Sequence, residues 1–325
     1  MREVQFLKQN SETWKAFEQT LNAGSKVNPD LLAEQYIRIQ DDLSYARTFF
    51  HDSATTRYLN ELASLTHQRI YRNRKEKSSR FFTFWKYEVP LVAYQLRKPI
   101  LYSFIIFMVS VLLGVLSLSK DDTFARLVLG DGYINETLNN IKNKDPMGIY
   151  KQSGPLLMFF RIAINNIKVA FSCFAIGILF SFGSGFMLFK NGVMLGVFQY
   201  FFHMHGLLLN SALTIWIHGT LEISAIILSG GAGLALGNSL LFPKTYSRMH
   251  SLKKASANGI KLMISLFPVF VIAAFLESYV TRHTEMPLIL SLAIIGSSLA
   301  FIVFYYIIYP HKLYHKKHDT SQKTV

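Results

Sequence analysis

IWIHGTLEISAIILSGGAG, residues 215–233, is apolar enough over most of its length to sit in lipid, yet it carries His218, Glu222 and a run of glycines. On a helix, at about 100° per residue, His218, Gly219, Ala225, Ile226, Ser229, Gly233 and Gly237 fall within about 60° of Glu222. Trp216, Leu221, Ile223, Ile227, Leu228 and Leu234 take the flanks and back. One face is small and polar, the other bulky and apolar. Small residues let two helix backbones approach closely, so Gly219, Gly230, Gly231, Gly233 and Gly237 read as helix-packing positions. A charged carboxylate in a bilayer costs several kcal/mol, so Glu222 is expected to face protein or a polar cavity, paired, neutralised or in use. His218, one turn away, is the nearest partner.

Outward from this stretch the chain divides by composition. Half of its 325 residues are apolar. Residues 1–98 read as a soluble part, and long uncharged runs dominate from Pro99 to Pro310. A helix rising about 1.5 Å per residue crosses a hydrocarbon core of about 30 Å in about 20 residues. The expected fold is all-α: a polytopic membrane protein with a helical N-terminal domain. Spans are expected at 99–118, 165–189, 193–209, 214–236, 261–280 and 287–309, with breaks at Lys190-Asn191-Gly192 and around Leu209–Ser211. The third is short for a span and reads as a broken element.

Charge sets the orientation. Residues 1–98 hold 16 Lys and Arg. The connector 238–260 carries four basic residues and no acid, and 119–154 balances five against five. Positive segments stay inside, so both termini and 238–260, with the basic tail 311–325, are expected in the cytoplasm of a bacterial inner membrane. Residues 1–30 lack the apolar core of a signal peptide, which leaves the first span as internal signal and anchor. The net charge of +14 lies in segments flanking apolar runs. That pattern points to a lipid bilayer, not to nucleic acid. The single cysteine, Cys173, lies in an apolar run and reads as packing.

In the domain 1–80, Asn28-Pro29-Asp30 is a helix start. Leu32, Tyr36, Ile39, Leu43, Ala46 and Phe50 form one apolar stripe, and further helices are expected over Thr55–Lys77 and Glu12–Leu21. The elbow 81–98 follows a basic run. Arg72, Arg74, Lys75, Lys77 and Arg80 with Trp85 place cations beside large aromatics, as at a membrane surface.

Candidate members of a polar intramembrane site are His218, Glu222, Asn165, Asn166 and Asn191, with Lys168 near. No catalytic residue is expected: no nucleophile and base form one constellation. No metal or cofactor is expected either. His203 and His205 cannot share a helix face, and the chain has no HExxH pair.

Taken in order, "YIRIQDDLSYAR", "YLNELASLTHQRIY", the basic-aromatic elbow, "NN" at 165–166, "NG" with Gly196, and "HGTLE" followed by "GGAGL" resemble the stage II sporulation protein M family of integral membrane proteins. The resemblance implies a non-enzymatic anchor or organiser. The founding member acts beside two peptidoglycan-cutting partners during engulfment. It also implies that His218, Gly219, Glu222, Gly230, Gly231 and Gly233 are motif residues. The expected function is a membrane scaffold for cell-envelope partners. The alternative is a transporter or lipid-handling protein using the Glu/His site. Partners beyond lipid are other membrane or envelope proteins, and small-residue faces allow a homo-oligomer as well as internal packing.

Overall fold

The computed structural model describes residues 2–22, 29–70, 79–143, 145–146, 154–281 and 286–322. Among them there is no strand. The chain divides into two compact units, Met1–Arg80 and Phe81–Val325.

The first unit consists of α1 (Glu3–Asn22), α2 (Pro29–Phe49) and α3 (Ala54–Ile70). Its stripe positions do what their spacing requires: Leu32, Ile39, Leu43 and Ala46 are buried with Phe6, Trp14, Phe17 and Leu21 of α1 and Leu59 and Leu62 of α3. The first helix starts well before the expected Glu12, because Phe6 continues its apolar face. Trp14 Nε1 donates to Asp42 at 2.8 Å, which satisfies the one polar atom of a buried indole. Tyr58 donates its hydroxyl to Glu18 Oε2 at 2.8 Å. Burial first, then the Glu18 bond and charge, push the Tyr58 hydroxyl from 10.0 up to about 12. A raised folded-state value means stability that is complete below pH 10 and is lost as pH rises through about 12. A Tyr58→Phe chain is therefore expected to lose less stability than wild type between these limits. Thermal melts of both at pH 9 and pH 11.5 check this, and equal alkaline losses would refute it.

The basic residues Arg72, Arg74, Lys75 and Lys77 lie outside the described residues. Arg80 is exposed, as are Phe81 and Phe82. Beyond a short α4 (Ser79–Thr83), Trp85 is half-buried in a π-helical segment, Phe84–Glu88. Its carbonyl accepts from Tyr305 at 2.7 Å, and Glu88 pairs with Lys261 at 2.7 Å. In α5 (Val89–Gln95), Val89, Val92 and Ala93 enter the main core of the second unit. The elbow thus packs onto that unit, with its first aromatics left outward.

Then come α6 (Arg97–Lys120), the short α7 (Phe124–Leu129) and α8 (Asp131–Lys142), α9 (Pro155–Ala175), α10 (Phe182–Met204), α11 (Leu208–Leu241), α12 (Arg248–Phe275), α13 (Leu288–Val303) and α14 (Tyr309–Gln322). Among the described residues, five stretches are long and apolar enough to cross a membrane: Arg97–Lys120, Pro155–Ile178, Leu208–Leu241, Arg248–Val280 and Leu288–Lys316. Their outer faces carry exposed Leu, Ile and Phe, as contact with hydrocarbon requires. The 34 residues of α11 are mostly buried and form the centre of the unit.

Two of the expected spans are cut elsewhere. In place of 165–189 and 193–209, the helices are Pro155–Ile178, whose last turn is 3₁₀, and Phe182–Met204. The break lies at Phe180 and Ser181, both at positive φ, and α10 runs straight through Lys190-Asn191-Gly192. The reason is packing. A Cβ at Gly192 would sit 2.6 Å from Ser110 Cβ on α6, so this glycine is an approach point between helices, not a turn. Asn191 Nδ2 donates to Met187 O at 2.8 Å within its own helix. At the true break, Ser181 Oγ donates to Leu234 O of α11 at 2.8 Å. Phe182–Met204 is not among the stretches apolar enough to cross.

The glycines of α11 differ in role. Gly230 faces Leu188 and Ser103, Gly231 faces Ile100, Gly233 faces Cys173 O, and Gly237 faces Ser181, each with room for no side chain. Gly219 departs from the expectation. An added Cβ there would meet only Ile215 and Ile223 of its own helix, at 3.5 and 3.7 Å, so no neighbouring helix presses on it. Cys173 is fully buried, as its apolar surroundings require.

Candidate functional site

Gly219 opens instead onto a cavity of about 690 Å³. α9, α10 and α11 supply most of its wall, Phe107 of α6 contributes, and Val128, Leu129 and Tyr133 of α7 and α8 line it as well. Burial pushes the Tyr133 hydroxyl up to about 12, so this lining group stays neutral. The cavity gathers all five of the polar residues expected to belong together: Asn165, Asn166, Asn191, His218 and Glu222. Lys168 and Lys190 line it too. Apart from Ser172, the remaining wall is apolar, including Val169, Met194, Leu195 and Ile226. A mostly apolar chamber with a few convergent polar groups is the usual form of a small-molecule site.

The polar end is built from three helices. His218 and Glu222, one turn apart on α11, project to the same side. Asn166 of α9 donates through Nδ2 to Glu222 Oε1 in a short hydrogen bond. The third contribution was not expected. Glu277 lies in the π-helical turn Leu276–Val280 that continues α12, and its Oε2 stands 3.8 Å from His218 Nε2. The ligand atoms of His218, Glu222 and Glu277 all lie within 4.8 Å of one another. On the far side of the ring, His218 Nδ1 contacts Thr281 Oγ1 at 3.1 Å. Thr281 Oγ1 also lies 3.1 Å from Leu276 O, a carbonyl that already accepts from the Thr281 backbone N–H at 2.8 Å. Nδ1 is thus engaged by Thr281, and Nε2 is the ring nitrogen on the side of Glu277.

Glu277 did leave a signal. It is the only acidic residue between Glu222 and Glu285. The argument that singled out Glu222 applies to it equally, but near the end of an apolar run it reads as a boundary residue. What no pattern could show is that the π turn aims it at His218; such turns insert one residue, rotate the helix locally and recur at functional sites. His203 and His205 do not join the cluster; His205 Nδ1 contacts Phe201 O of its own helix at 2.8 Å.

A family model described as "Stage II sporulation protein M" matches residues 103–282, a segment that contains every residue of the polar cluster. A second, described as "Domain of unknown function (DUF8413)", matches residues 4–72. No curated protein and no solved structure matches.

Proposed function

The chain belongs to the stage II sporulation protein M family, is an all-α multi-pass membrane protein, and from that premise we propose that it handles a ligand within its membrane domain. The reading is a non-enzymatic transporter or lipid-handling protein of the bacterial inner membrane, with the bilayer as its surroundings and both termini cytoplasmic, an arrangement in which Phe182–Met204, sheltered by the helices around it, makes the sixth crossing beside the five more apolar stretches. The observation that carries it is the cavity of about 690 Å³, where an apolar wall meets Lys168, Lys190, His218 and Glu222, the last two in turn backed by Glu277. Apolar wall plus cationic and polar groups suits an amphipathic molecule with an anionic head. The balance of basic residues between 119–154 and 238–260 supports the orientation.

Gly219 supplies the test. Because no other helix presses on it, a Gly219→Phe side chain can grow into the cavity with the helix packing intact. Native mass spectrometry of the purified full-length protein is expected to show a co-purified small molecule or lipid on wild type that the Gly219→Phe protein lacks. Identical spectra, with both proteins folded, would sink the chamber reading.

A second reading is the scaffold that organises cell-envelope, peptidoglycan-remodelling partners, by direct contact or as a homo-oligomer. It draws support from the first unit, which has a hydrophobic core of its own. A folded unit of this kind suits the docking of other proteins. Cross-linked capture from native membranes, wild type beside Glu222→Gln, decides: a specific envelope enzyme on wild type supports it, and bare background on both proteins removes it.

A further inference from the structure

We propose that His218, Glu222 and Glu277 bind one divalent transition-metal cation of the Zn²⁺, Mn²⁺ or Co²⁺ class at the polar end of the cavity, with Thr281 and Asn166 as positioning residues. The inference rests on the cavity being a binding site, but not on the identity of what is handled there.

Three observations carry it. The first is the donor set and its geometry. One imidazole nitrogen and two carboxylates converge with all ligand atoms within 4.8 Å. Ligands at about 2.1 Å from a tetrahedral zinc stand about 3.4 Å from each other. The 3.8 Å between His218 Nε2 and Glu277 Oε2 is near that edge length. It is too long for a charge-assisted hydrogen bond, which spans about 2.7–2.9 Å. A cation between them needs to draw the side chains inward by less than an ångström.

The second is the orientation of the ligand groups. Thr281 Oγ1 engages Nδ1 at 3.1 Å, which holds the ring with Nε2 on the side of Glu277. That is the outer arrangement found around metal-bound imidazoles, whose second nitrogen is held by a hydrogen bond. Asn166 does the same for Glu222 by engaging Oε1, leaving Oε2 for the centre. Two carboxylates facing one another in a largely apolar surround repel strongly, and a divalent cation cancels both charges at once.

The third is the backbone. His218 and Glu222 sit at i and i+4 on one helix, the spacing at which helical residues share a metal. Glu277 reaches them only because the helix goes over to π geometry at Leu276–Val280. A nitrogen ligand favours Zn²⁺, Mn²⁺ or Co²⁺ over Ca²⁺ and Mg²⁺, which take oxygen. Three protein ligands leave coordination positions open, and two of the three, His218 and Glu222, line the cavity together with Lys168 and Lys190. An anionic group bound in the chamber can therefore reach the metal.

The experiment uses the full-length protein, purified through a tag without histidine, stripped with chelator and loaded with Zn²⁺, Mn²⁺ or Co²⁺ in turn. Metal content after desalting is expected near one ion per chain, about the stoichiometry of a single three-ligand site. Glu222→Gln and Glu277→Gln, near-isosteric with wild type, are expected to fall to background. Thr281→Val keeps the ligands and loses their orientation, so its affinity falls by about 10–100-fold. The visible spectrum of the Co²⁺ protein reads nitrogen and oxygen ligation on wild type alone, so a variant that fails to fold does not decide the matter. Wild type that stays metal-free with all three ions overturns the proposal, and so does Glu277→Gln protein, folded by its melting curve, that binds as wild type does. The Gly219→Phe comparison is separate. Metal bound with no ligand displaced sinks only the chamber reading, and a displaced ligand without metal sinks only this one.

Discussion

A Gly177→Ala chain is expected to melt far below wild type, with a loss of about 3 kcal/mol or more, because one methyl group is too much where two backbones touch. Gly177 lies in the 3₁₀ turn Ile176–Ile178 that ends α9, pressed against α11. A Cβ there would stand 2.6 Å from both Cα and C of Gly233. A real Cβ needs about 3.5–4.0 Å from a carbon atom. No side chain at this contact can rotate out of the way, since the obstructing atoms are backbone. The reciprocal change, Gly233→Ala, would set its Cβ 2.6 Å from Cys173 O and also crowd Ser184. Ser184 Oγ already donates to that carbonyl at 2.6 Å. Relief requires α9 and α11 to separate, and α11 is the helix on which the others pack. Gly296 on α13 is the control. It is exposed and a Cβ would meet nothing within 4 Å, so Gly296→Ala should be neutral or gain up to about 1 kcal/mol from helix propensity. Melting curves of the three purified proteins decide. If Gly177→Ala and Gly296→Ala melt together, the close approach of α9 and α11 is wrong.

The second large effect is expected at Asn166. Asn166→Asp removes the amide that donates to Glu222 and sets a third carboxylate beside Glu222 and Glu277. Loss of a hydrogen bond to a charged group costs about 1.5–3 kcal/mol, and the new repulsion adds to it. Stability of metal-stripped Asn166→Asp is therefore expected to drop by about 3 kcal/mol. Exchanging the partners should reverse this. In the Asn166→Asp, Glu222→Gln double variant, the glutamine amide donates to the new carboxylate, and the number of acids is that of wild type. Residues in direct contact couple by about 0.5–3 kcal/mol, so the double variant should regain most of the loss. An additive result, with the double variant no better than Asn166→Asp, would mean that the two residues do not bond and that the polar end is assembled differently.

Much of this molecule is legible in one dimension, and the reason is the solvent. In a bilayer every backbone polar group must be satisfied within the segment, so long apolar runs leave few choices but helices. The all-α membrane fold follows from Pro99–Pro310. The placing of His218 and Glu222 on one face follows from a spacing of four. The stretches that carry the resemblance are local as well, since "HGTLE" and "GGAGL" lie on the same helix. Where periodicity gave out, the sequence misled. Lys190-Asn191-Gly192 has the composition of a turn, but the polar side chains have partners or a cavity, and Gly192 is the near point of α10 to α6. The turn falls at Phe180 and Ser181 because Ser181 finds the Leu234 carbonyl on another helix.

The site divides along the same line. A wheel shows that Gly219 and Gly233 share the face of Glu222, but not that one borders a cavity while the other touches a backbone. Which it is depends on the path of a neighbouring helix. Glu277, fifty-five residues after Glu222, joins it only through the packing of α12 on α11 and the π turn that redirects its side chain. Residue type and spacing, by themselves, determined that a carboxylate and an imidazole lie in an apolar helix and must be compensated. Only the tertiary structure decided that Asn166 engages the carboxylate and that a second carboxylate joins the cluster, because distances across helices are set by packed side chains and not by separation along the chain.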